Sequence, residues 1–111
     1  MPGPERRKQV RKKTRARVLL KSRWQLAPAT GVDVSQGGVL VETSQPFNVG
    51  DEVELAIDMP DNSRVNCSGR VLREVRQRTM RVAGIRYGIQ ITRIDAAAAA
   101  KLAAWLAKLP D

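Results

Sequence analysis

The stretch "IRYGIQITRIDAAAAAKLAAWLAKL", residues 85–109, contains two hydrophobic periods and marks where one kind of structure gives way to another. Its first part has the period of two that is typical of a β-strand. The apolar members of this alternation are Ile85, Tyr87, Ile89 and Ile91. In the second part, apolar side chains recur at the i, i+3, i+4, i+7 spacing of a helix face. These are Leu102, Trp105, Leu106 and Leu109. The stretch therefore predicts a last strand followed by a helix at about 95–109, with Asp95 as N-cap and Pro110 as the stop.

Earlier in the chain, only the strand-like period is found. Apolar and polar residues alternate from Arg15 onwards, and Trp24 still falls on the apolar side of this alternation. The same alternation recurs in 32–34, 39–41, 52–59 and 65–71. The connections carry turn residues: "APATG" (27–31), "SQPFNVGD" (44–51), "PDNS" (60–63) and "RQRTMR" (76–81). Gly69 is a candidate bulge. Five to six short antiparallel strands before one helix favour a small barrel or sandwich. We expect the helix stripe to pack on the β-structure, with a dimer contact as the alternative.

Composition limits the class of protein. With 111 residues and 42% hydrophobic content, the chain predicts one globular domain. The longest apolar run is Ala96–Ala100, too short to span a bilayer. No apolar segment typical of a secretory signal opens the sequence, so we expect a cytoplasmic protein. The single cysteine, Cys67, lies in an alternating segment and is predicted to be a reduced core thiol.

The residue types do not favour an enzyme. The sequence has no histidine, which removes the commonest general base and the commonest metal ligand. One cysteine cannot build a zinc site. The nearest carboxylate pair, Glu52 and Glu54, would share the polar face of a strand, where a solvated role is expected.

Positive charge is concentrated at the start of the chain. Residues 1–24 contain ten Lys or Arg and one acid, a net charge of +9, whereas residues 25–111 contain ten of each and are neutral. This asymmetry predicts an anionic partner: nucleic acid, a phosphorylated small ligand or an acidic membrane surface. Arginine can also grip phosphate with two hydrogen bonds and stack on a flat ring.

Two motifs follow this charge along the chain. Arginines lie four residues apart in "RKQVR" (7–11) and again in "RKKTR" (11–15), and "DVSQGG" (33–38) joins two predicted strands. Asp33 could accept hydrogen bonds from the adjacent N1–H and amine donors of guanine, and Ser35 could donate to a ligand acceptor. The glycine pair could let a flat ligand approach or adopt positive φ. The combination predicts a guanine nucleotide with more than one phosphate.

These motifs resemble the PilZ domain family of bacterial cyclic di-GMP receptors, whose pattern is RxxxR before the first strand and then [DN]xSxxG. The resemblance covers about residues 6–109 and implies a six-stranded antiparallel β-barrel with a C-terminal helix. It implies a ligand site that contains Arg7, Arg11, Asp33, Ser35 and Gly38. Further candidates are Arg6, Arg15 and Gly37. Spacing favours the Arg7–Arg11 register, with Arg15 as the substitute, and the extra Arg6 resembles members that bind an intercalated pair of ligand molecules.

The resemblance also implies a mechanism. Residues 1–14 would form a flexible basic arm that orders over cyclic di-GMP, and residues 15–111 would form the barrel with its helix. The domain would need no cofactor besides this ligand and would act through an unidentified partner protein, as a monomer or dimer. Two alternatives remain open: a nucleic-acid-binding module that uses the basic arm, which leaves Asp33 unexplained, and a PilZ-like interaction domain that binds no nucleotide.

Overall fold

A computed structural model describes residues 11–76 and 84–110 of the chain. The described part contains six strands and one helix. They are β1 (Lys12–Lys21), β2 (Leu26–Val34), β3 (Gly38–Thr43), β4 (Glu52–Asp58), β5 (Arg64–Arg76), β6 (Ile85–Arg93) and α1 (Ala96–Lys108).

The strands close into an antiparallel barrel in the order β1-β2-β3-β6-β5-β4. Closure occurs because β1 pairs with β2 on one side and with β4 on the other, where Val18 lies opposite Ile57. All six pairings are antiparallel. The predicted six-stranded barrel followed by a helix is confirmed.

Alternate residues of the strands fill the barrel, as the period of two predicts. β4 shows the pattern most clearly, because Val53, Leu55 and Ile57 are buried between exposed or half-buried neighbours. The largest fully buried side chain is Tyr87. Its hydroxyl accepts a hydrogen bond from the Phe47 backbone N–H at 2.8 Å, and the two rings meet edge to face. A buried phenol thus has its polar end satisfied.

Helix α1 begins at the predicted cap and packs its apolar stripe against the barrel. The Asp95 carboxylate accepts a hydrogen bond from the Ala98 N–H at 2.8 Å. Leu102, Trp105 and Leu106 are buried, and the helix lies against β5. This helix is too short to cross a membrane, and no other helix occurs in the described ranges.

The end of α1 is tied to the start of β1. Lys12 Nζ donates a hydrogen bond to the backbone carbonyl of Leu109, the C-cap residue, at 2.9 Å. A cation at this end of a helix also interacts favourably with the helix dipole. The first strand and the last helix therefore meet at one point of the barrel.

The first hairpin differs from the sequence prediction. β1 begins at Lys12, three residues before Arg15, because Lys12 and Lys13 already pair with the end of β2. The sequence predicts that the alternation of apolar and polar residues reaches Trp24, but it stops at Lys21. The chain turns there, and the Ser22 N–H donates a hydrogen bond to the Gln25 carbonyl. Trp24 is consequently 85% exposed.

The predicted connection "APATG" is also wrong, because residues 27–31 are part of β2. Pro28 suggested a loop, yet it pairs with Leu19 of β1, while the pairing of β2 with β3 begins only at Thr30. At Pro28 the strand has a paired neighbour on one side only, which is where a proline can be accommodated. On the other side, the Pro28 carbonyl accepts a hydrogen bond from Thr43 Oγ1.

Several smaller predictions are confirmed. Residues 60–63 turn between β4 and β5, with Asn62 at a φ of 70°. The pairing of β5 with β6 shifts register next to Gly69. Cys67 is buried and unbridged, and burial raises the pKa of its thiol to about 11. Residues 77–81 of the predicted "RQRTMR" hairpin end lie outside the described ranges.

Candidate functional site

A groove of about 370 Å³ opens on the outside of the barrel where β2, β3, β6 and β5 lie side by side. Five predicted site residues line it: Arg11, Asp33, Ser35, Gly37 and Gly38. Residues of β3, β5 and β6 complete it: Val39, Leu40, Leu72, Arg73, Gly88, Ile89 and Gln90. The fold thus gathers the end of the basic segment and the "DVSQGG" motif on one surface.

Among the described residues, Asp33 is the one carboxylate that lines the groove. On the pleated sheet it lies opposite Lys13 of β1 and Leu40 of β3. Its Oδ1 atom is shielded from solvent and has no hydrogen-bond partner among the described residues. A buried carboxylate oxygen without a donor is energetically costly. Asp33 is therefore set up to accept hydrogen bonds from a group outside the described barrel.

Ser35 organises the turn beside Asp33. Its backbone N–H donates to the Gly38 carbonyl at 2.9 Å, and its Oγ accepts from the N–H groups of Gly37 and Gly38 at 3.3 and 3.2 Å. The hydroxyl also lies 3.3 Å from the Gly38 carbonyl. The side chain that the sequence suggested as a ligand donor is thus engaged inside its own turn.

The glycine pair serves the packing of two strands. A Cβ on Gly38 would lie 2.8 Å from the Ile89 carbonyl oxygen of β6, a backbone atom that cannot easily move. The Gly37 carbonyl accepts a hydrogen bond from the Ile91 N–H at 2.9 Å. Positive φ is not the reason for either glycine, because within the described ranges only Asn62 and Gly50 adopt it. Gly38 lets β3 approach β6 closely beside the groove.

The structure separates the predicted arginines. Arg11 lines the groove, whereas Arg15 is exposed on β1 and does not. Arg6 and Arg7 lie outside the described ranges. The position of Arg11 is consistent with the Arg7–Arg11 register, which stays a prediction.

Sequence reasoning missed the wall of the groove that β5 and β6 provide. Leu72 is 53% exposed, Arg73 is exposed, and Gly88 lies opposite Arg73 in the β5–β6 pairing. The one signal in the sequence was Gly88 at a polar position of the last strand. Its meaning depends on which residue of β5 lies opposite it, and the sequence does not show this.

A larger depression of about 960 Å³ lies at the far end of β1, around Trp24. It contains both signs of charge, and part of that charge is internally compensated, since Arg70 Nη2 lies 3.2 Å from Glu52 Oε2. Glu52 and Glu54 are both exposed there, as expected of a solvated face. The described ranges contain no group of three or more Cys, Asp or Glu side chains that could hold a metal ion.

The described residues thus form a closed antiparallel barrel with a polar groove on its outer face. The family model for the PilZ domain matches residues 5–108 of the chain. The chain therefore belongs to the PilZ domain family, whose members are generally cyclic di-GMP receptors. A comparison with curated protein sequences finds no match.

Solved structures share the fold. The Bacillus subtilis inhibitor of motility (MotI/DgrA) superposes with a TM-score of 0.79 at 18% identity, over 97% of this chain. The present chain spans 56% of that protein. The PilZ domain of YcgR from Escherichia coli, a structure with c-di-GMP, gives a TM-score of 0.76 at 10% identity and covers 92% of this chain and 90% of its own.

Proposed function

We propose that this protein is a receptor for cyclic di-GMP. The observation that carries the proposal is the buried Asp33 Oδ1, which has no partner in the described part of the chain and lies in the same groove as Arg11. Cyclic di-GMP offers two adjacent guanine N–H donor groups for the carboxylate and phosphates for the guanidinium. A charge-assisted hydrogen bond would also relieve the cost of the unpaired oxygen.

Asp33 distinguishes this ligand from a nucleic acid. A phosphate backbone would place negative charge against this carboxylate. A guanine base instead presents hydrogen-bond donors to it. Cyclic di-GMP would therefore use both the positive charge at the start of the chain and the Asp33 carboxylate in the groove.

The basic segment would order on the ligand. Arg11 precedes the first residue of β1, so Arg7 and Arg6 would be carried towards the groove by the chain leading to it. A segment rich in cations and poor in apolar side chains gains order when a polyanion binds its charges. Arg7 and Arg11 would then close over the phosphates.

This ordering would take place beside the end of helix α1. Lys12 follows Arg11 directly and holds the Leu109 carbonyl at 2.9 Å. The ordered segment and the end of the helix would together form a surface that the ligand-free protein lacks. A partner protein that recognises this surface would read the presence of the ligand.

Isothermal titration with cyclic di-GMP tests the proposal, with GTP and cyclic di-AMP as comparators. Arg11→Ala is expected to weaken binding by roughly ten- to a hundredfold, the typical effect of losing a charge-assisted contact. Arg17→Ala is the matched control, because Arg17 is exposed on β1 outside the groove and should bind as the wild type does. No heat with cyclic di-GMP at micromolar protein would contradict the proposal.

Two further readouts address the mechanism. The stoichiometry of the same titration separates one ligand molecule from an intercalated pair. Hydrogen exchange of residues 1–11 with and without cyclic di-GMP should show protection on binding if the segment orders. Binding of DNA or RNA that falls steeply with salt, together with indifference to cyclic di-GMP, would instead favour the nucleic-acid module.

A further inference from the structure

The groove has a second charged wall opposite Asp33. Cross-strand partners place four residues in one row on the outer face, in the order Asp33 on β2, Leu40 on β3, Gly88 on β6 and Arg73 on β5. Leu40 faces outwards because its neighbours Val39 and Val41 are buried in the core. The row therefore runs from a carboxylate, across an apolar side chain and a glycine, to an arginine.

A bulge in β5 directs this arginine to the groove. The β5–β6 register shifts between Val71 and Arg73, so that Leu72 has no partner on β6. Such a shift re-aims the side chains around it. As a result, Leu72 and Arg73 both line the groove after the buried Val71. Leu72 leaves an apolar surface exposed at the same wall.

Gly88 makes room for the arginine side chain. A Cβ on Gly88 would lie 3.1 Å from Arg73 Nε and 3.2 Å from its Cγ. The side chain of Arg73 thus lies over Gly88 of β6. A Cβ at this position would make a tight contact, so the Arg73 side chain would have to shift by a few tenths of an ångström.

Asp33 and Arg73 line the same groove, and Leu40 and Gly88 lie between them in the row of paired residues. The groove has a volume of about 370 Å³, which leaves room for a flat ring. A planar base in this groove would present one edge to Asp33 and another to Arg73.

We propose that Arg73 is a specificity residue that reads the O6/N7 edge of a guanine whose N1/N2 edge binds Asp33. This inference rests on the proposed function and extends it to the recognition of the base. Guanine offers two adjacent acceptors on that edge, which the planar fork of arginine matches with two hydrogen bonds. Adenine has an amino donor in place of O6, so the same arginine disfavours it.

The test is a thermodynamic cycle with two ligands and two proteins. The ligands are cyclic di-GMP and its 7-deaza analogue, which lacks the N7 acceptor. The proteins are the wild type and Arg73→Ala. The wild type should lose affinity for the analogue, and Arg73→Ala should bind both ligands equally, at roughly a tenth to a hundredth of the wild-type affinity for cyclic di-GMP.

Three further variants sharpen the result. Arg93→Ala removes an exposed arginine outside this groove and should retain wild-type affinity. Arg73→Lys keeps the positive charge but removes the planar guanidinium group. A loss of affinity in this variant therefore supports recognition of the guanine edge by two hydrogen bonds. Gly88→Ala shifts the arginine side chain, so it should lower the affinity for cyclic di-GMP, as Arg73→Ala does. If Arg73→Ala does not fold, the Lys variant and the wild-type response to the analogue still decide the question.

Specific outcomes would overturn the inference. Wild-type affinity in Arg73→Ala would show that the residue does not contact the ligand. An equal penalty for the analogue in both proteins would show that the arginine does not read the N7 atom. Either result leaves the proposed function intact, whereas the proposed function itself fails only if the wild type does not bind cyclic di-GMP.

Discussion

Two turns of the barrel carry the same Asp-x-Ser spacing and use it in opposite ways. At Asp61-Asn62-Ser63, the carboxylate accepts hydrogen bonds from both the backbone N–H and the hydroxyl of Ser63. At Asp33-Val34-Ser35, the serine hydroxyl serves Gly37 and Gly38, and Asp33 Oδ1 has no partner among the described residues.

The difference lies in where each aspartate stands. Asp61 is exposed in the loop after β4, where its own turn can satisfy it. Asp33 is inside β2, and cross-strand pairing positions it over the groove. In the described barrel, the sheet separates the Asp33 carboxylate from local donors of the kind that satisfy Asp61.

The largest expected effect comes from exchanging each aspartate for alanine. Asp33→Ala should lower the affinity for cyclic di-GMP by roughly ten- to a hundredfold. It should not lower thermal stability, because it removes a buried carboxylate oxygen that has no donor among the described residues. Asp61→Ala should leave binding unchanged. Titration and a thermal melt of each variant check both statements. Equal loss of binding in the two variants would erase the distinction between the turns.

A second effect, of similar size, concerns the backbone of the two turns. Gly38→Ala places a Cβ 2.8 Å from the Ile89 carbonyl, so we expect a loss of about 1–3 kcal/mol in the free energy of unfolding, the usual cost of overpacking. Because Gly38 lines the groove, ligand affinity should fall as well.

Asn62→Ala provides the comparison, because Asn62 has a φ of 70° in the other turn. Alanine in the left-handed region should cost about 1 kcal/mol and leave ligand affinity unchanged. Urea denaturation gives both stabilities. A variant Gly38→Ala as stable as the wild type would contradict the close approach of β3 to β6.

The smallest effect is a pH dependence at the satisfied turn. The hydrogen bonds from Ser63 hold the pKa of Asp61 below its ordinary value of 3.8. A folded-state pKa below the unfolded one stabilises the fold above the unfolded value, and this contribution disappears as the pH falls through the folded pKa. Asp61→Asn should therefore be slightly less stable than the wild type at pH 7, and the difference should shrink as the pH falls below 3.8 and vanish below the folded-state pKa of Asp61. If the difference in stability between the two proteins is the same at pH 7 and at low pH, the hydrogen bonds to the ionised Asp61 are not its cause.

Most of the fold could be predicted because its signals are local. Alternation identified the strands, and the Leu102 stripe after Asp95 identified the helix. The failures at Trp24 and Pro28 arose where pairing decides the structure. The turn at Ser22 ends the alternation of apolar and polar residues before Trp24. Pro28 fits in β2 only because β3 does not pair with β2 at that position.

The site divides in the same way. Arg11, Asp33 and the turn from Ser35 to Gly38 belong to two short motifs that can be recognised in the sequence. Arg73 and Gly88 belong to the groove only because β5 shifts its register against β6. That shift is a property of two paired strands, and neither strand shows it alone.

The hydrogen bond from Lys12 Nζ to the Leu109 carbonyl has a consequence for the connectivity of the chain. Because the first strand and the last helix meet there, a short linker from residue 110 to residue 11 could join them without crossing the barrel. The exposed turn at 60–63 could then provide new termini. In such a circular permutant the groove would keep all of its walls, while Arg11 would follow a covalent link to the helix in place of the basic segment.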